Sequence, residues 1–299
     1  MKKFIIKLFV FILLFLVSFI LLNSLCQLFT PEKDRYALQY KELYNPTVDA
    51  DIVVFGTSKS ARGINPKILE TDSISVFNFG LNGSNPEFIY NWYKNIFKIN
   101  YPKPKLILLE INWLMFDKDF MWRSFEQDSR YFSFKDYLLL LKNTEKKYSS
   151  FFNRYHVFNR SVGSGGEIDL TYNGYTPFDK KYSNSKSTKT YINSFDFDPD
   201  IQFKYFKLLL NLFKKEDVNV ILLILPEVHN KSISSNDLFK DCTSDIKKIS
   251  SEIGFKLLDY TYYFESESLF KDWQHLNITG AELITNKIKS DIKKEFYYD

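Results

Sequence analysis

Apolar residues recur along this chain in short continuous runs, and longer amphipathic stretches separate the runs. The runs have the length and composition of strands: residues 52–55, 74–77, 106–110, 218–225 and 255–258. The amphipathic stretches have helical periodicity: residues 86–99, 201–215, 239–253 and 280–293. Strands that alternate with helices predict a parallel sheet covered on both faces, and near-continuous apolar runs are typical of strands buried on both sides. We therefore expect an α/β fold.

A different apolar segment opens the chain. Residues 4–22 are interrupted only by Lys7 and Ser18, and a helix of that length spans about 28 Å, close to the thickness of a hydrocarbon core. We favour an uncleaved membrane anchor, because a signal peptide usually has a shorter apolar core followed by a clear cleavage site. A cleaved signal peptide is the alternative. Lys2 and Lys3 precede the span and predict a cytoplasmic N-terminus, with the remainder of the chain on the outer side of the membrane.

The rest of the chain divides into a linker and one domain. Residues 1–29 hold the N-terminus and the anchor, residues 30–48 read as a polar stalk, and residues 49–299 are long enough for one large α/β domain. Residues 113–199 form a connection much longer than a βαβ crossover needs. This insertion begins where a strand ends, so we expect it to form a lid or wall that selects the substrate.

Composition excludes several classes of function. The net charge is only +4 and no basic cluster resembles a nucleic-acid surface. The three histidines and two cysteines lack metal-ligand spacing, and no phosphate-binding or dinucleotide glycine pattern occurs, so no cofactor is expected. The thirty Phe and twenty Tyr residues suit sugar stacking, but a compositional bias explains them better.

Candidate chemistry lies at opposite ends of the α/β pattern. Asp272 stands three positions before His275, where a carboxylate can accept the Nδ1 hydrogen and leave Nε2 as a general base. Ser58 follows the first apolar run in the sequence Gly-Thr-Ser. Each feature alone has an ordinary explanation, an ion pair at a helix start or simple turn chemistry. Together, at loops that follow strands or precede the last helix, they predict a serine acyl-transfer site.

A loop rich in glycine and asparagine, residues 77–85, follows the second run. Glycine allows backbone N–H groups to approach an incoming oxygen closely, so this loop predicts an oxyanion hole. It also suits a tight strand-to-helix turn, with Ser84 or Asn85 capping a helix that begins at Pro86. Near the C-terminus, Thr279 and Glu282 have the spacing of a capping box and predict the start of the last helix.

These motifs carry a resemblance to a known family. Residues 56–58, 78–83 and 272–275 resemble, in order and spacing, the block motifs of the SGNH (GDSL-like) hydrolase superfamily. Thr replaces the usual Asp of the first block, as in extracytoplasmic branches that include polysaccharide O-acetylation proteins and accessory proteins of teichoic-acid D-alanylation. The resemblance implies a three-layer, flavodoxin-like parallel sheet. It also implies that Ser58 is the nucleophile, that its N–H and that of Gly83 are oxyanion donors, that His275 is the base and that Asp272 orients it.

The third block departs from the superfamily pattern. That block usually reads Gly-x-Asn-Asp and supplies a side-chain oxyanion donor. Here Asn112 follows the third run without the glycine or the aspartate, and we assign it as the third donor. His229 is a rival base near Glu227, ranked second because no carboxylate stands three positions before it.

These observations predict a single-pass membrane protein with its domain at the cell surface or in the periplasm. We expect a serine esterase or O-acyltransferase acting on acyl, preferably acetyl, esters of a cell-envelope polysaccharide. The main alternative is a non-catalytic protein of the same fold that binds glycan or serves as partner of a membrane acyltransferase. A lipid esterase at the membrane surface is a third interpretation.

Overall fold

The computed structural model describes residues 2–28, 47–116, 172–178, 199–228 and 237–296. Most of the predicted stalk and insertion, and the rival base His229, lie outside these ranges. Helix α1 spans Lys2–Leu28, and its part Lys2–Leu22 is long and apolar enough to cross a membrane. An N-terminal signal sequence meets the same criteria, so both interpretations of this segment stay open.

The described strands form one parallel sheet of five strands in the order β2-β1-β3-β4-β5, which confirms the predicted α/β class. The strands are β1 Ile52–Phe55, β2 Val76–Asn78, β3 Leu106–Glu110, β4 Val220–Ile224 and β5 Lys256–Asp259. β2 begins two residues later than the apolar run predicts, because Ile74 pairs instead with Thr71 in an isolated antiparallel bridge.

Helices cover both faces of the sheet. In chain order they are α2 Ser58–Gly63, α3 Pro66–Leu69, α4 Pro86–Trp92, α5 Lys98–Asn100, α6 Pro199–Lys215, α7 Asp237–Ile253 and α8 Ile278–Phe296, with a π-helical turn at Tyr93–Phe97. Val53 and Phe55 of β1 pack with α4, α6 and α7, while Ile52 and Val54 pack with α8. This alternation along β1 produces three layers, because successive strand side chains point to opposite faces.

The helix ends show one confirmed and one wrong prediction. Asn85 caps α4, since its side chain accepts the N–H of Phe88. The predicted N-cap Thr279 is wrong: α8 begins earlier, and Asn277 accepts the N–H of Gly280 at 3.0 Å through its Oδ1. Asparagine two positions upstream therefore supplies the cap, a role for which its short amide is well suited.

Helix α8 is tied to the helices that follow β1. Its isoleucines Ile284, Ile288 and Ile292 recur every fourth residue and are fully buried. Thr285 of α8 accepts the N–H of Asn65 at 3.1 Å and lies 3.3 Å from the carbonyl oxygen of Gly63. The C-terminal helix thus packs directly on the segment that begins at Ser58.

A tight turn from the predicted insertion covers the edge strand β2. Tyr172 and Tyr175 pair in an antiparallel bridge, and the two central residues, Asn173 and Gly174, have φ angles of 45° and 80°. The N–H of Asn78 donates to the carbonyl oxygen of Asn173 at 2.9 Å. One edge of the sheet is therefore protected by a turn from elsewhere in the chain.

Replacing Gly174 by alanine should destabilise the domain by about 1–3 kcal/mol, because φ is positive and the new Cβ would lie 1.9 Å from the carbonyl oxygen of Asn78. Denaturant unfolding of the full-length chain in detergent micelles would measure the loss. Gly254→Ala is the matched control, since Gly254 has φ of 92° but nothing within 4 Å of a new Cβ. Equal losses in both variants would contradict the expected clash.

Candidate functional site

Ser58 is the first residue of α2 and lies just beyond the carboxyl end of strand β1. Thr57 caps this short helix, and its Oγ1 accepts the N–H of Lys59 at 3.1 Å. The side chain of Ser58 is buried, with 5% of the residue exposed. Its backbone N–H has no acceptor among the described residues, as expected in the first turn of a helix.

The structure brings Ser58, His275 and Asp272 together. The Oγ of Ser58 lies 2.8 Å from Nε2 of His275. On the other side of the ring, Nδ1 lies 2.9 Å from Oδ2 of Asp272. Asp272 also accepts the backbone N–H groups of Gln274 and His275 at 3.0 and 2.9 Å. These backbone bonds fix the carboxylate, and the carboxylate in turn fixes the ring.

Burial of the ring and the charge of Arg62 favour neutral imidazole beside an ionised carboxylate. Burial, and next the charge of Arg62, lower the pKa of His275 to about 4, against the hydrogen bond and charge of Asp272. Burial alone would raise the pKa of Asp272, but its hydrogen bonds with the ring and the backbone lower that pKa to about 2. With Asp272 ionised, Nδ1 carries the hydrogen and Nε2 presents a lone pair to Ser58.

The loop after β2 packs against the end of β1. Leu81 donates its N–H to the carbonyl oxygen of Gly56 at 3.0 Å, and the hydroxyl of Ser84 donates to the same oxygen at 2.6 Å. Gly83 has φ of 72°, a conformation that favours glycine. The N–H of Gly83, like that of Ser58, has no acceptor among the described residues. The oxyanion role of both groups stays a prediction.

Asn112 lies beside this site, with its amide nitrogen engaged by protein oxygens. Its Nδ2 donates to Oε1 of Glu110 at 2.6 Å and to Oγ1 of Thr57 at 3.3 Å. The other oxygen of Glu110 accepts the N–H of Thr57 at 2.7 Å and its hydroxyl at 2.9 Å. Burial raises the pKa of Glu110, against Lys59 and these hydrogen bonds. Asn112 thus helps Glu110 hold Thr57, while its role as third oxyanion donor stays a prediction.

Sequence reasoning missed a buried ion pair beneath the site. Nζ of Lys59 lies 2.8 Å from Oε1 of Glu227, and both side chains are 3% exposed. The indole N–H of Trp113 also donates to Glu227, at 3.2 Å. Glu227 follows β4 and is almost fully buried. The adjacent position of Lys59 and Ser58 was the one signal in the sequence for this cation.

Arg62 and Phe178 were missed as well. Nη1 of Arg62 lies 3.2 Å from Nε2 of His275, and its guanidinium carbon lies 4.1 Å from the ring centre of Phe178. The rings of Phe178 and His275 meet edge to face at 5.6 Å. Phe178 belongs to the predicted insertion, and its carbonyl oxygen accepts the N–H of Ile278 at 3.0 Å. The insertion therefore contributes a side chain to this site.

Within the described ranges, no cluster of three or more His, Cys, Asp or Glu residues has an arrangement that could hold a metal ion. The polar groups near Ser58 are instead the imidazole of His275 with its carboxylate partner and the buried ion pair of Lys59. Such a set suits attack by an activated oxygen on an acyl carbon and stabilisation of the negative charge that develops there.

The strand order 2-1-3-4-5 of the parallel sheet is that of a flavodoxin-like α/β fold, as predicted. The family model described as DltD protein matches residues 163–289. That match is less than half of the chain and contains Asp272 and His275 but not Ser58. A search of curated proteins found no match.

Solved structures similar to this chain include three esterases or lipases. The acetyl xylan esterase AlAXEase has 13% identity and a TM-score of 0.45, with 81% of this chain and 99% of the other covered. A GDSL-like lipase from Bacteroides thetaiotaomicron has 13% identity and a TM-score of 0.42, covering 87% and 96%. A catalytic mutant of an acetylxylan esterase from Geobacillus stearothermophilus has 11% identity and a TM-score of 0.45, covering 81% and 94%. At these identities the likeness says nothing about substrate.

Proposed function

We propose that this protein is a serine esterase or O-acyltransferase in which Ser58 is the nucleophile, His275 the base and Asp272 the residue that orients it. One observation carries the proposal: Oγ of Ser58 lies 2.8 Å from Nε2 of His275 in a buried site. Hydrogen-bond reach between a nucleophile and a base that is itself oriented by a carboxylate is the geometric signature of this chemistry.

The reaction would proceed through an acyl-enzyme. Oγ of Ser58 forms a bond to the acyl carbon while its proton passes to Nε2 of His275. The N–H groups of Ser58 and Gly83 bind the resulting oxyanion. The ester C–O bond then breaks, and the leaving alcohol takes the proton from Nε2. Water or a sugar hydroxyl then attacks the acyl carbon and gives its proton to Nε2. The bond from the acyl carbon to Oγ breaks, and Oγ takes the proton from Nε2.

For the substrate, we propose O-acyl, preferably O-acetyl, groups on a cell-envelope polysaccharide. The apolar helix α1 supports a location at the membrane, with residues 1–29 as anchor, residues 30–48 as stalk and the domain outside. The match to the DltD model supports an acyl-ester function in the cell envelope. A membrane acyltransferase is the partner that such a location suggests.

A non-catalytic role is the second candidate, and one observation favours it. The amide of Asn112 is bound to Glu110 and Thr57, so the side-chain donor of the superfamily's third block is engaged within the protein. Under this alternative, the fold would bind glycan or a membrane acyltransferase without turning over an ester.

Labelling with a fluorophosphonate probe separates the two candidates. In the full-length chain in detergent micelles at neutral pH, we expect the probe to label the wild type and mass spectrometry to place it on Ser58. Ser58→Ala should abolish labelling, whereas Ser73→Ala, which changes an exposed serine between α3 and β2, should leave it unchanged. A folded wild type without label, or label on another residue, would overturn the proposed mechanism.

A further inference from the structure

Nε2 of His275 has two polar neighbours on α2. Oγ of Ser58 lies 2.8 Å away and Nη1 of Arg62 lies 3.2 Å away. A guanidinium group has only donors, so Nε2 must be the acceptor in the contact with Arg62. A ring that carries a hydrogen on Nε2 can no longer accept, so this contact exists only while the ring is neutral.

Phe178 holds the guanidinium in place. The Arg62 guanidinium carbon lies 4.1 Å from the centre of the Phe178 ring, which itself meets the His275 ring edge to face. Arg62 is 5% exposed, so its charge acts on the ring with little screening by water. The planar guanidinium can stack on an aromatic face and donate from its edge at the same time.

Among the described residues, Arg62 is the cationic side chain in direct contact with the ring. Asp272, on the ring's own loop, binds Nδ1 on the far side. Lys59, also on α2, is paired at 2.8 Å with Glu227, which follows β4. Phe178, the contact from the insertion, is uncharged. Burial and the charge of Arg62 are the two largest influences that lower the pKa of His275.

We propose that Arg62 is a positioning residue for His275: its guanidinium shares Nε2 with Ser58, keeps the ring neutral, and leaves Nε2 when the proton of Ser58 arrives there. The inference rests on the proposed function, because the departure matters only if His275 acts as a base. In the step itself, the Oγ–H bond breaks, an Nε2–H bond forms, and the hydrogen bond from Arg62 to Nε2 is lost. Proton transfer and movement of Arg62 are therefore coupled.

Removing Arg62 should raise the pKa of His275. Arg62→Gln deletes a cation that disfavours imidazolium, so the titration of His275 should move to higher pH by about one unit or more. Because the base works only when neutral, the acid limb of the labelling profile should move up by the same amount. Arg62→Lys retains the positive charge and should keep both midpoints near those of the wild type. Lys67→Gln, which removes an exposed cation on α3, should change neither.

NMR titration of the full-length chain in detergent micelles, with histidine Cε1 labelled by carbon-13, tests this directly. The signal lost in His275→Ala identifies the ring. An upward shift of its midpoint in Arg62→Gln, with rescue in Arg62→Lys, is the expected result. Phe178→Leu removes the ring on which Arg62 stacks and should also raise the midpoint of His275. It provides the test if Arg62→Gln does not fold. An unchanged midpoint in a folded variant would overturn the role of Arg62.

The two proposals can fail separately. A wild type that is never labelled, but whose His275 midpoint shifts in Arg62→Gln, would overturn the esterase mechanism and support the electrostatic role of Arg62. A wild type that is labelled on Ser58, but whose midpoint and acid limb are the same in Arg62→Gln, would support the esterase mechanism and overturn the role of Arg62.

Discussion

Replacing His275 by alanine should lower the rate of acyl-serine formation by about 10⁴–10⁶-fold. Ser58 is a weak nucleophile while its hydroxyl keeps the proton, and the ring 2.8 Å away is the acceptor positioned to take it. Asp272→Asn should cost about 10⁴-fold, because an amide can hold the ring in the wrong tautomer. The first turnover of a 4-nitrophenyl ester by the full-length chain, followed as release of nitrophenolate, measures both rates.

A suitable control for these variants is Tyr262→Phe, which changes an exposed side chain and should leave the rate unchanged. Circular dichroism would establish that each variant is folded. If His275→Ala retained most of the wild-type rate, another base would be required. His229, which follows β4 but lies outside the described residues, would then be the residue to replace next.

Replacing Glu227 by glutamine should lower the free energy of unfolding by about 3–5 kcal/mol. The change removes the charge that compensates Lys59, and that lysine is too deeply buried to be solvated instead. Loss of one partner is costly because the other charge stays in a medium of low dielectric constant. Denaturant unfolding followed by tryptophan fluorescence measures the effect, and Trp113, whose indole donates to Glu227, is a reporter at the altered position.

Two further variants identify the cause of the loss. The double change Lys59→Met with Glu227→Leu removes both charges and should recover most of the stability. Asp237→Asn removes the acidic partner of Lys240 in an exposed pair, which should have little effect because surface pairs contribute little. A large loss in the double variant would indicate that side-chain shape, rather than the unpaired charge, decides stability at this position.

Local pattern was sufficient to predict the architecture. The run 106–110 became β3 with those bounds, and the run 218–225 became β4 over Val220–Ile224, because strands buried on both faces must be apolar throughout. The cap of α8 was less predictable. Both Asn277 and Thr279 are good N-caps, and the choice between them depends on how the loop from Asp272 approaches the helix.

The partners inside the site could not be read from the sequence in the same way. Glu110 looked like the last residue of an apolar strand, yet its carboxylate holds Thr57 from 53 positions away. Lys59 and Glu227 are separated by 168 positions. Arg62 meets His275 only because α8 and α2 pack together. Spacing patterns report contacts within one element, whereas these contacts depend on which strands become neighbours.

The packing of α8 on the segment that begins at Ser58 also determines when the site can exist during synthesis. Ser58 and His275 are 217 positions apart. The ring approaches the hydroxyl only after β5 has paired in the sheet and α8 has packed against it. An unfinished nascent chain, or one shortened by proteolysis before residue 272, would carry a serine without its base. Under the proposed function, such a chain would have no esterase activity, even if it had already reached the membrane.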